Sequence, residues 1–436
     1  MSEKSKKVKI AFTDIDGILR GKYIHESKFK KQAESGIGFC DVVFGWDSSD
    51  VVYENEVEKT GWHTGFPDAQ LKIDLTTKRS IPWENDQLFY LGDFSNDQQF
   101  KHICPRTLLA NSAMYAKQLG FTPKFAQEFE WFNFKGLADQ HTSLPPETIT
   151  KGMFGYSLIR LSQNNDFVHD LFDLMADFGV DIEGFHTETG PGVLEACLVY
   201  DEVLNAGDKA VLFKQAVKEI AHRYNITASF MAKWNENLPG CSGHIHQSLW
   251  SETGNNLFHD EGGNLSVILK QYMAGQLYCM PYLMPMFAPT INSYKRLVEG
   301  SWAPTQVSWG YENRTCALRV IRGTEEQSRL ETRVAGADCN PYLAMAASLA
   351  SGLYGIKNKM ELNDLPVQGN AYSDSKLQKL PADLKAATNT MKQSKLAEEL
   401  FGKDFVQHFC TTRENEWNLF SKSVSDWELK RYFEII

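Results

Sequence analysis

The chain has 436 residues, of which 42% are hydrophobic and 23% are charged, and its formal net charge is −10. This length allows two domains or one large domain, and the composition is typical of a soluble globular protein. The acidic balance argues against nucleic acid or an anionic membrane as the main partner, because both favour basic surface patches.

Targeting and cysteine patterns agree with an ordinary cytoplasmic protein. No apolar run approaches the roughly 20 residues needed to span a bilayer. The basic opening MSEKSKKVKI has no apolar core behind it, so no signal peptide is expected. The eight cysteines are scattered singly, without a CxxC pair. We therefore expect reduced thiols and a cytoplasmic location, with no nucleic-acid or membrane partner.

The first hundred residues are predicted to form strands and turns. Residues 8–12, 42–44 and 88–91 have β-like composition, with Pro, Gly and Asp between them. Helical periodicity follows, and residues 105–119 predict a helix that Pro105 opens and Gly120 ends. The change of pattern near residue 103 divides an α+β chain into two expected domains, residues 1–103 and 104–436.

Helices and strands alternate in the rest of the chain. Amphipathic helices are predicted at residues 165–178 and 201–224, strands at 121–134, 182–187, 193–199 and 228–232, and an alanine-rich helix at 341–354. The tail that follows is predicted to be mostly helical and polar. No internal repeat or low-complexity linker is present.

Paired acids are the first sign of chemistry. Glu128 and Glu130 stand at alternate positions in the aromatic segment KFAQEFEWFNF. On a strand they share one face, where they repel each other and lose hydration unless a cation is present. An alternative is one acid at a strand edge and one in a salt bridge. Glu188 and Glu195 flank a Gly-Pro-Gly turn that can bring them together, or they form a hairpin with two solvated acids.

Histidines and arginines complete the pattern. A Gly/Ser-rich loop leads into His244 and His246, and such loops let backbone N–H groups approach a phosphate. His244 can then ligate a metal and His246 can meet a phosphate, although both can also be structural. Five arginines crowd the segments around Glu331, and so many need anions nearby: Arg296, Arg314, Arg319, Arg329 and Arg333.

The residue types together predict ATP chemistry. Five carboxylates and one histidine suit hard divalent ions such as Mg²⁺ or Mn²⁺. The arginines suit phosphate and carboxylate groups. Internal acids are another possible partner for the arginines, but ATP phosphates and a carboxylate substrate fit better.

These segments, in this order, resemble the glutamine synthetase family, type I branch, from the first strand to about residue 365. The likeness rests on the E-x-E strand, the ETGPGxxE turn, the glycine loop before HxHxS, NSYKRL, and RxExR followed by NPY. It implies an N-terminal β-grasp domain and a catalytic domain with a curved antiparallel sheet and helices. It also implies a homo-oligomer, expected to be a dodecamer of two hexameric rings, with each active site between neighbouring subunits.

The resemblance implies a role for each site residue. Glu130, Glu188 and Glu195 match the ligands of one metal ion, and Glu128, His244 and Glu331 match those of a second, with two or three Mg²⁺ or Mn²⁺ expected per site. His246, Ser248, Arg319 and Arg329 match contacts to ATP. Arg296 and Arg333, with the Gly240 loop, match the groups that hold L-glutamate, and Arg314 matches the arginine that steadies a phosphorylated intermediate.

Departures from the family pattern narrow the expected function. The flap glutamate that helps glutamine synthetases hold ammonium corresponds to Trp302 in VEGSWAP. A tryptophan offers an apolar wall and a cation–π face to a substituted amine. The aspartate that deprotonates ammonium has Asp47 as its nearest match. A loop asparagine that contacts glutamate is Pro239, and the tyrosine that some members have adenylylated is Asn363, so that modification is not expected.

Three hypotheses follow. The first is an ATP-dependent ligase that joins the γ-carboxylate of L-glutamate to an organic amine through a γ-glutamyl phosphate, in amine catabolism. The second is a glutamine synthetase that uses ammonia with an altered flap. The third is a non-catalytic structural or regulatory relative, which the full set of metal-ligand residues disfavours.

Overall fold

The computed structural model describes residues 6–54, 57–140, 146–260, 262 and 264–436. Its strands are β1 (Lys7–Thr13), β2 (Leu19–His25), β3 (Ile37–Cys40), β4 (Asp68–Ile73), β5 (Arg79–Ile81), β6 (Gln87–Asp93), β7 (Thr122–Lys135), β8 (Ile182–Thr187), β9 (Val193–Leu198), β10 (Asp201–Glu202), β11 (Ile226–Ser229), β12 (Gly243–Trp250), β13 (Trp309–Tyr311), β14 (Leu318–Ile321) and β15 (Arg329–Thr332). Its α-helices are α1 (Glu26–Gln32), α2 (Pro105–Gln118), α3 (Leu158–Ser162), α4 (Asn165–Asp177), α5 (Val203–Arg223), α6 (Val267–Phe287), α7 (Ser293–Arg296), α8 (Pro341–Lys357), α9 (Leu384–Lys392), α10 (Lys395–Phe401), α11 (Lys403–Lys422) and α12 (Asp426–Tyr432).

The N-terminal sheet has the strand order β2-β1-β6-β4-β3, with β5 also paired to β6. The central strands β1 and β6 are parallel, and β2 pairs with β1 in antiparallel register. Helix α1 follows β2 directly. A parallel central pair flanked by antiparallel strands and one helix confirms the expected β-grasp fold.

Both faces of this sheet are buried at its centre. In β6, Tyr90 lies in a small core made of N-terminal residues, whereas Phe89 and Leu91 lie in the main core of the chain. The alternation follows from the two-residue period of a strand. The small core ends at Cys104, which supports our proposal of a domain boundary near residue 103.

The large sheet has the order β13-β14-β15-β12-β7-β9-β8, and β10 and β11 also pair with β7. Its pairs are antiparallel except β13 with β14. The sheet is curved, and the predicted α+β class is confirmed. Along β7, Phe125 and Phe129 are fully buried in the main core, while Glu128 and Glu130 point to the opposite face.

Helices pack against the apolar face of the large sheet. Phe213 of α5 stacks on Phe129 of β7, with ring centroids 5.7 Å apart. Helices α6 and α8 approach closely at Gly275, where an added Cβ would lie 2.2 Å from the Ser351 carbonyl oxygen. Only glycine fits at that position, because interiors are packed too densely to yield such space. The helices thus hold the sheet from behind and leave its other face free for the site.

Most predicted elements are present, with three corrections. Residues 42–44 were expected to be a strand but belong to the 3₁₀ helix Asp41–Phe44, since a short buried apolar run does not distinguish helix from strand. Strand β11 ends at Ser229 rather than at residue 232, and α5 begins only after the short strand β10. The tail is helical as expected, but α11 also buries Phe405 and Phe409. No helix within the described ranges is long and apolar enough to cross a membrane.

A buried arginine joins the two parts of the chain. Arg106 of α2 is 4% exposed and donates to both carboxylate oxygens of Asp208 at 2.8 and 2.9 Å. It also contacts Asp93 and Asp74 of the N-terminal region, each at 2.8 Å. Tyr342 of α8 donates to Asp208 at 2.6 Å. The carboxylates keep the pKa of Arg106 above its usual value despite burial, so the charge is fully compensated.

Arg106→Ala should destabilise the protein strongly, because it leaves buried carboxylates without their counter-charge. We expect the free energy of unfolding to fall by about 3–5 kcal/mol, measured by urea denaturation. Lys30→Ala, which removes the exposed Lys30–Glu26 ion pair, is the control and should leave the free energy of unfolding nearly unchanged. Equal small losses in both variants would contradict the structural role assigned to Arg106.

Candidate metal and phosphate site

The register of strands β9, β7 and β12 places three acids, a histidine and a cysteine at neighbouring positions of the sheet, an arrangement called the strand grid below. On β7, Glu128 is directly opposite His244 of β12 on one side and Cys197 of β9 on the other. Two residues further along β7, Glu130 is opposite Glu195. These five side chains occupy alternate positions, so they project from the face of the sheet that the helices do not cover.

The first group of candidate ligands consists of Glu128, His244 and Glu331. The Nδ1 atom of His244 lies 3.0 Å from Oε1 of Glu128 and 3.3 Å from Oε1 of Glu331. Glu331 comes from β15, which pairs with β12, and only 1% of it is exposed. The three ligand atoms lie within 4.8 Å of one another, a separation that one divalent ion can bridge.

The second group consists of His186, Glu188 and Glu195. Their ligand atoms also lie within 4.8 Å of one another, and Nε2 of His186 is 3.2 Å from Oε1 of Glu195. Gly192 in the turn between β8 and β9 has φ of 73°, and a Cβ there would lie 2.5 Å from a backbone oxygen of β7. The glycine turn therefore brings Glu188 and Glu195 together, as the sequence predicted.

Glu130 lies between the two groups. Its Oε2 accepts a hydrogen bond of 2.6 Å from the backbone N–H of Ser242, in the glycine loop before β12. Burial raises the pKa of Glu130, and the neighbouring carboxylates of Glu188 and Glu128 raise it further, against the opposing effect of that hydrogen bond and of Arg296. The Ser242 bond orients the carboxylate toward the rest of the cluster.

Opposite electrostatic conditions hold at the two ends of the cluster. Burial and the charges of Glu128 and Glu130 raise the pKa of Glu195 to about 8. Burial would also raise the pKa of Glu331, but Arg333, and then His244, lower it to about 2. The acid-rich end is thus short of positive charge.

A divalent cation fits this donor set. The candidate ligands are carboxylate oxygens and imidazoles, which suit Mg²⁺ and Mn²⁺. His244 is 5% exposed, yet its Nε2 has no hydrogen-bond partner among the described residues. A buried polar atom in that state normally has a ligand or a water nearby. The residues present therefore match the metal requirement of the predicted chemistry.

Arginines surround the Glu331 end. Arg319 of β14 donates to Glu331 at 3.0 Å and to the half-exposed Glu312 at 2.6 Å. Arg333 pairs with the other oxygen of Glu331, and Arg296 donates to the backbone oxygen of Arg333 at 3.2 Å. These cations are only partly neutralised by the chain itself, so they suit incoming anions.

The glycine loop fits closely against one of these arginines. A Cβ on Gly240 would lie 2.8 Å from the Arg296 side chain. Arg296 itself is 4% exposed, and burial lowers its pKa. The loop thus fixes the direction of a buried guanidinium, as the predicted role in substrate binding requires.

The flap residue Trp302 lies beside the same arginines. Its backbone oxygen accepts from Nη2 of Arg333 at 3.4 Å, and the backbone oxygen of Arg314 accepts from Nε of Arg333 at 3.2 Å. The Trp302 side chain is 65% exposed, and its backbone has φ of 61°. A left-handed backbone conformation is sterically unfavourable for a tryptophan, and such strained residues are typical of functional positions.

A cavity of about 170 Å³ opens at the other end of the grid. Two predicted phosphate contacts, His246 and Arg329, touch each other there, with Nε of Arg329 3.1 Å from Nδ1 of His246. The predicted contact Ser248 lies deeper and accepts from the indole N–H of Trp250 at 2.8 Å. The ammonium group of Lys124 lies 3.9 Å above the Trp250 ring. Aromatic and cationic groups suit a nucleotide here.

Asp47 is not part of this arrangement within one chain. Its Oδ1 accepts from the backbone N–H groups of Ser49 and Val51 at 2.8 and 3.0 Å, which closes a local turn. Its described contacts include none of the residues in the metal or phosphate clusters.

Sequence analysis missed two members of the site, His186 and Cys197. Each stands two residues from a glutamate that it did select, in the patterns His-x-Glu188 and Glu195-x-Cys. The same alternate-residue rule that selected Glu128 and Glu130 would have found both.

The curved sheet, with its acid–histidine cluster and arginine rim, agrees with the class of ATP-dependent carbon–nitrogen ligases. Comparison with known proteins agrees, since residues 102–432 match the family described as glutamine synthetase, catalytic domain. The chain belongs to the glutamine synthetase family. Members of this family use ATP and divalent metal ions.

Individual relatives extend the match over the whole chain. The chain is 49% identical to type-1 glutamine synthetase 2 of Dictyostelium discoideum, over 99% of this chain and 84% of that protein. It is 36% identical to a glutamate–isopropylamine ligase of a Pseudomonas species, over 98% and 95% of the two chains. A solved structure described as a GmaS/ADP complex superposes with a TM-score of 0.85 at 25% identity, covering 99% and 97%.

Loss of one buried carboxylate should weaken metal binding selectively. We expect Glu331→Gln to raise the dissociation constant for Mn²⁺ by roughly tenfold or more, measured by calorimetric titration. Glu312→Gln is a matched control, because Glu312 pairs with the same Arg319 but lies outside the cluster. It should change the constant by less than about twofold. Equal affinities in the two variants would refute the assignment of Glu331.

Proposed function

We propose that the protein joins the γ-carboxylate of L-glutamate to an organic amine, with ATP converted to ADP and phosphate, in amine catabolism. The observation that carries this proposal is the presence of a large exposed aromatic side chain, Trp302, at the flap position. The backbone oxygen of Trp302 accepts a hydrogen bond from Arg333. A relative that aligns over nearly its full length is named a glutamate–isopropylamine ligase. Both features favour an acceptor larger than ammonium.

We divide the proposed metal ligands into two sets, one for each of two ions. Glu130, Glu188 and Glu195 would hold one ion and Glu128, His244 and Glu331 another, with two or three ions per site. Mg²⁺ or Mn²⁺ held there would supply positive charge that compensates the terminal phosphate of ATP. The chain's contribution is to fix the carboxylates at the spacing that the strand register sets.

Cationic and polar groups of the chain itself prepare the first step. His246, Ser248, Arg319 and Arg329 hold the phosphates, and Arg296 and Arg333, with Gly240, orient glutamate. The γ-carboxylate oxygen then attacks the terminal phosphorus, ADP leaves, and a γ-glutamyl phosphate forms. Arg314 stabilises the charge on its phosphoryl group. Positioning and charge compensation supply most of the acceleration.

The second step uses the flap. The amine nitrogen attacks the γ-carbonyl carbon, phosphate departs, and one amine proton is lost to a base. The Trp302 ring provides an apolar and cation–π surface for a substituted ammonium before it loses its proton, while a small ammonium ion lacks the carboxylate partner it needs. We assign the base to Asp47 of a neighbouring subunit in a dodecameric, cytoplasmic assembly.

Ammonia as the acceptor is the second candidate function. The 49% identity to a protein named type-1 glutamine synthetase 2 favours it. The two candidates share the first step and differ only in the acceptor, so one assay separates them.

The acceptor assay measures phosphate release with L-glutamate, ATP and Mg²⁺. We expect kcat/KM for an alkylamine such as isopropylamine or ethylamine to exceed that for ammonium by roughly tenfold or more, because the apolar wall stabilises the alkyl group. Ammonium as the best acceptor would overturn the proposal and leave a glutamine synthetase. No release with any acceptor would overturn both.

Trp302→Glu should reverse the preference. A carboxylate there pairs with ammonium and removes the apolar wall, so we expect kcat/KM to rise for ammonium and to fall roughly tenfold for the alkylamine. Trp302→Phe should keep the alkylamine preference. Glu299→Gln, which changes a charge of the same exposed flap, is the control and should alter neither activity. An unchanged ratio in Trp302→Glu would show that the flap does not select the acceptor.

A further inference from the structure

Cys197 occupies one position of the strand grid that the proposed reaction does not use. It is directly opposite Glu128 in the pairing of β7 with β9 and shares its face with Glu195, two residues earlier. Its Sγ donates to Oε2 of Glu128 at 3.0 Å. The thiol is therefore in direct contact with the carboxylate cluster.

The cluster supplies a third set of ligand atoms through this cysteine. Atoms of Glu128, Glu195 and Cys197 all lie within 4.8 Å of one another. Cys197 is partly exposed and lines the 170 Å³ cavity at the nucleotide end, beside His246 and Glu128. A cation that enters the cavity therefore reaches the sulfur without any rearrangement of the core.

A sulfur donor changes which metals the cluster prefers. Carboxylates alone favour hard ions, whereas a thiolate adds strong affinity for thiophilic ions such as Zn²⁺ and Cd²⁺. The neighbouring His244 is buried and places its Nδ1 3.0 Å from Oε1 of Glu128, so a further nitrogen lies beside this set. An ordinary packing cysteine would instead be enclosed by apolar side chains, as Cys279 is within α6.

We propose that Glu128, Glu195 and Cys197 form a binding site for a thiophilic divalent cation, which competes with Mg²⁺ for the shared carboxylates. On binding, the S–H bond breaks, the proton passes to solvent, and a metal–sulfur bond forms without any change of oxidation state. Occupancy would inhibit the enzyme, because Glu128 and Glu195 are no longer free for the catalytic ions. This inference rests on the metal assignments of the proposed function.

The test uses Cd²⁺ and the metal-free full-length protein, without substrates. Thiolate-to-cadmium charge transfer gives an ultraviolet absorption that reports sulfur ligation directly. We expect the band to saturate in the wild type and to be lost in Cys197→Ser, whose hydroxyl keeps the hydrogen bond but not the soft donor. Cys40→Ser is the control. It removes the exposed thiol at the end of β3 and should keep the band.

A second readout is inhibition. We expect the Zn²⁺ concentration that halves phosphate release to rise roughly tenfold or more in Cys197→Ser, and to stay at the wild-type value in Cys40→Ser. Retention of the cadmium band in Cys197→Ser, or its loss in Cys40→Ser, would overturn the inference. Because the cadmium titration needs no turnover, failure of the amine proposal leaves its outcome readable.

Discussion

The crowding of carboxylates on one face of the central strands is the constraint from which the rest of the site follows. Glu128, Glu130 and Glu195 stand at neighbouring register positions of β7 and β9, and a glycine turn adds Glu188. The opposite face of the same strands is packed into the main core, so the acids cannot turn away from one another. Buried like charges at this spacing cannot all stay ionised without counter-charge. Divalent ions are the compensation that the donor set accepts.

The cluster is electrostatically asymmetric, and this asymmetry gives the site a direction. At one end the pKa of Glu195 rises to about 8 through burial and its acidic neighbours. At the other end Arg333 and Arg319 flank Glu331, whose pKa falls to about 2 despite burial. The acid-rich end therefore favours the binding of metal ions, and the arginine-rich end favours the binding of anions. Phosphoryl transfer between ATP and a carboxylate needs both conditions within a few ångströms.

How much the sequence predicted depended on the range of each interaction. Strand periodicity is local, so Glu128, Glu130, His244 and His246 could be assigned to shared faces, and the Gly190–Gly192 turn could be read as a fold-back. The register between strands is set by packing across the whole sheet, so the pairing of Glu128 with Cys197 was not predictable. The prediction of a strand at residues 42–44 was wrong, because a 3₁₀ helix buries these apolar residues in the small core as well as a strand would. Family resemblance supplied the roles that spacing alone left open.

In the proposed reaction, the flap would set the choice of acceptor without disturbing the phosphoryl-transfer step. Trp302 is held through its backbone oxygen by Arg333, so the flap is anchored on the arginine that also contacts Glu331. The indole extends outward from that anchor and is largely exposed. A substitution of this side chain therefore leaves the anchor and the carboxylate cluster in place and alters only the exposed surface of the loop, where the proposed function places the amine. Under the proposed function, activation of glutamate is fixed by the sheet, and the nucleophile is selected by one exposed residue on a loop.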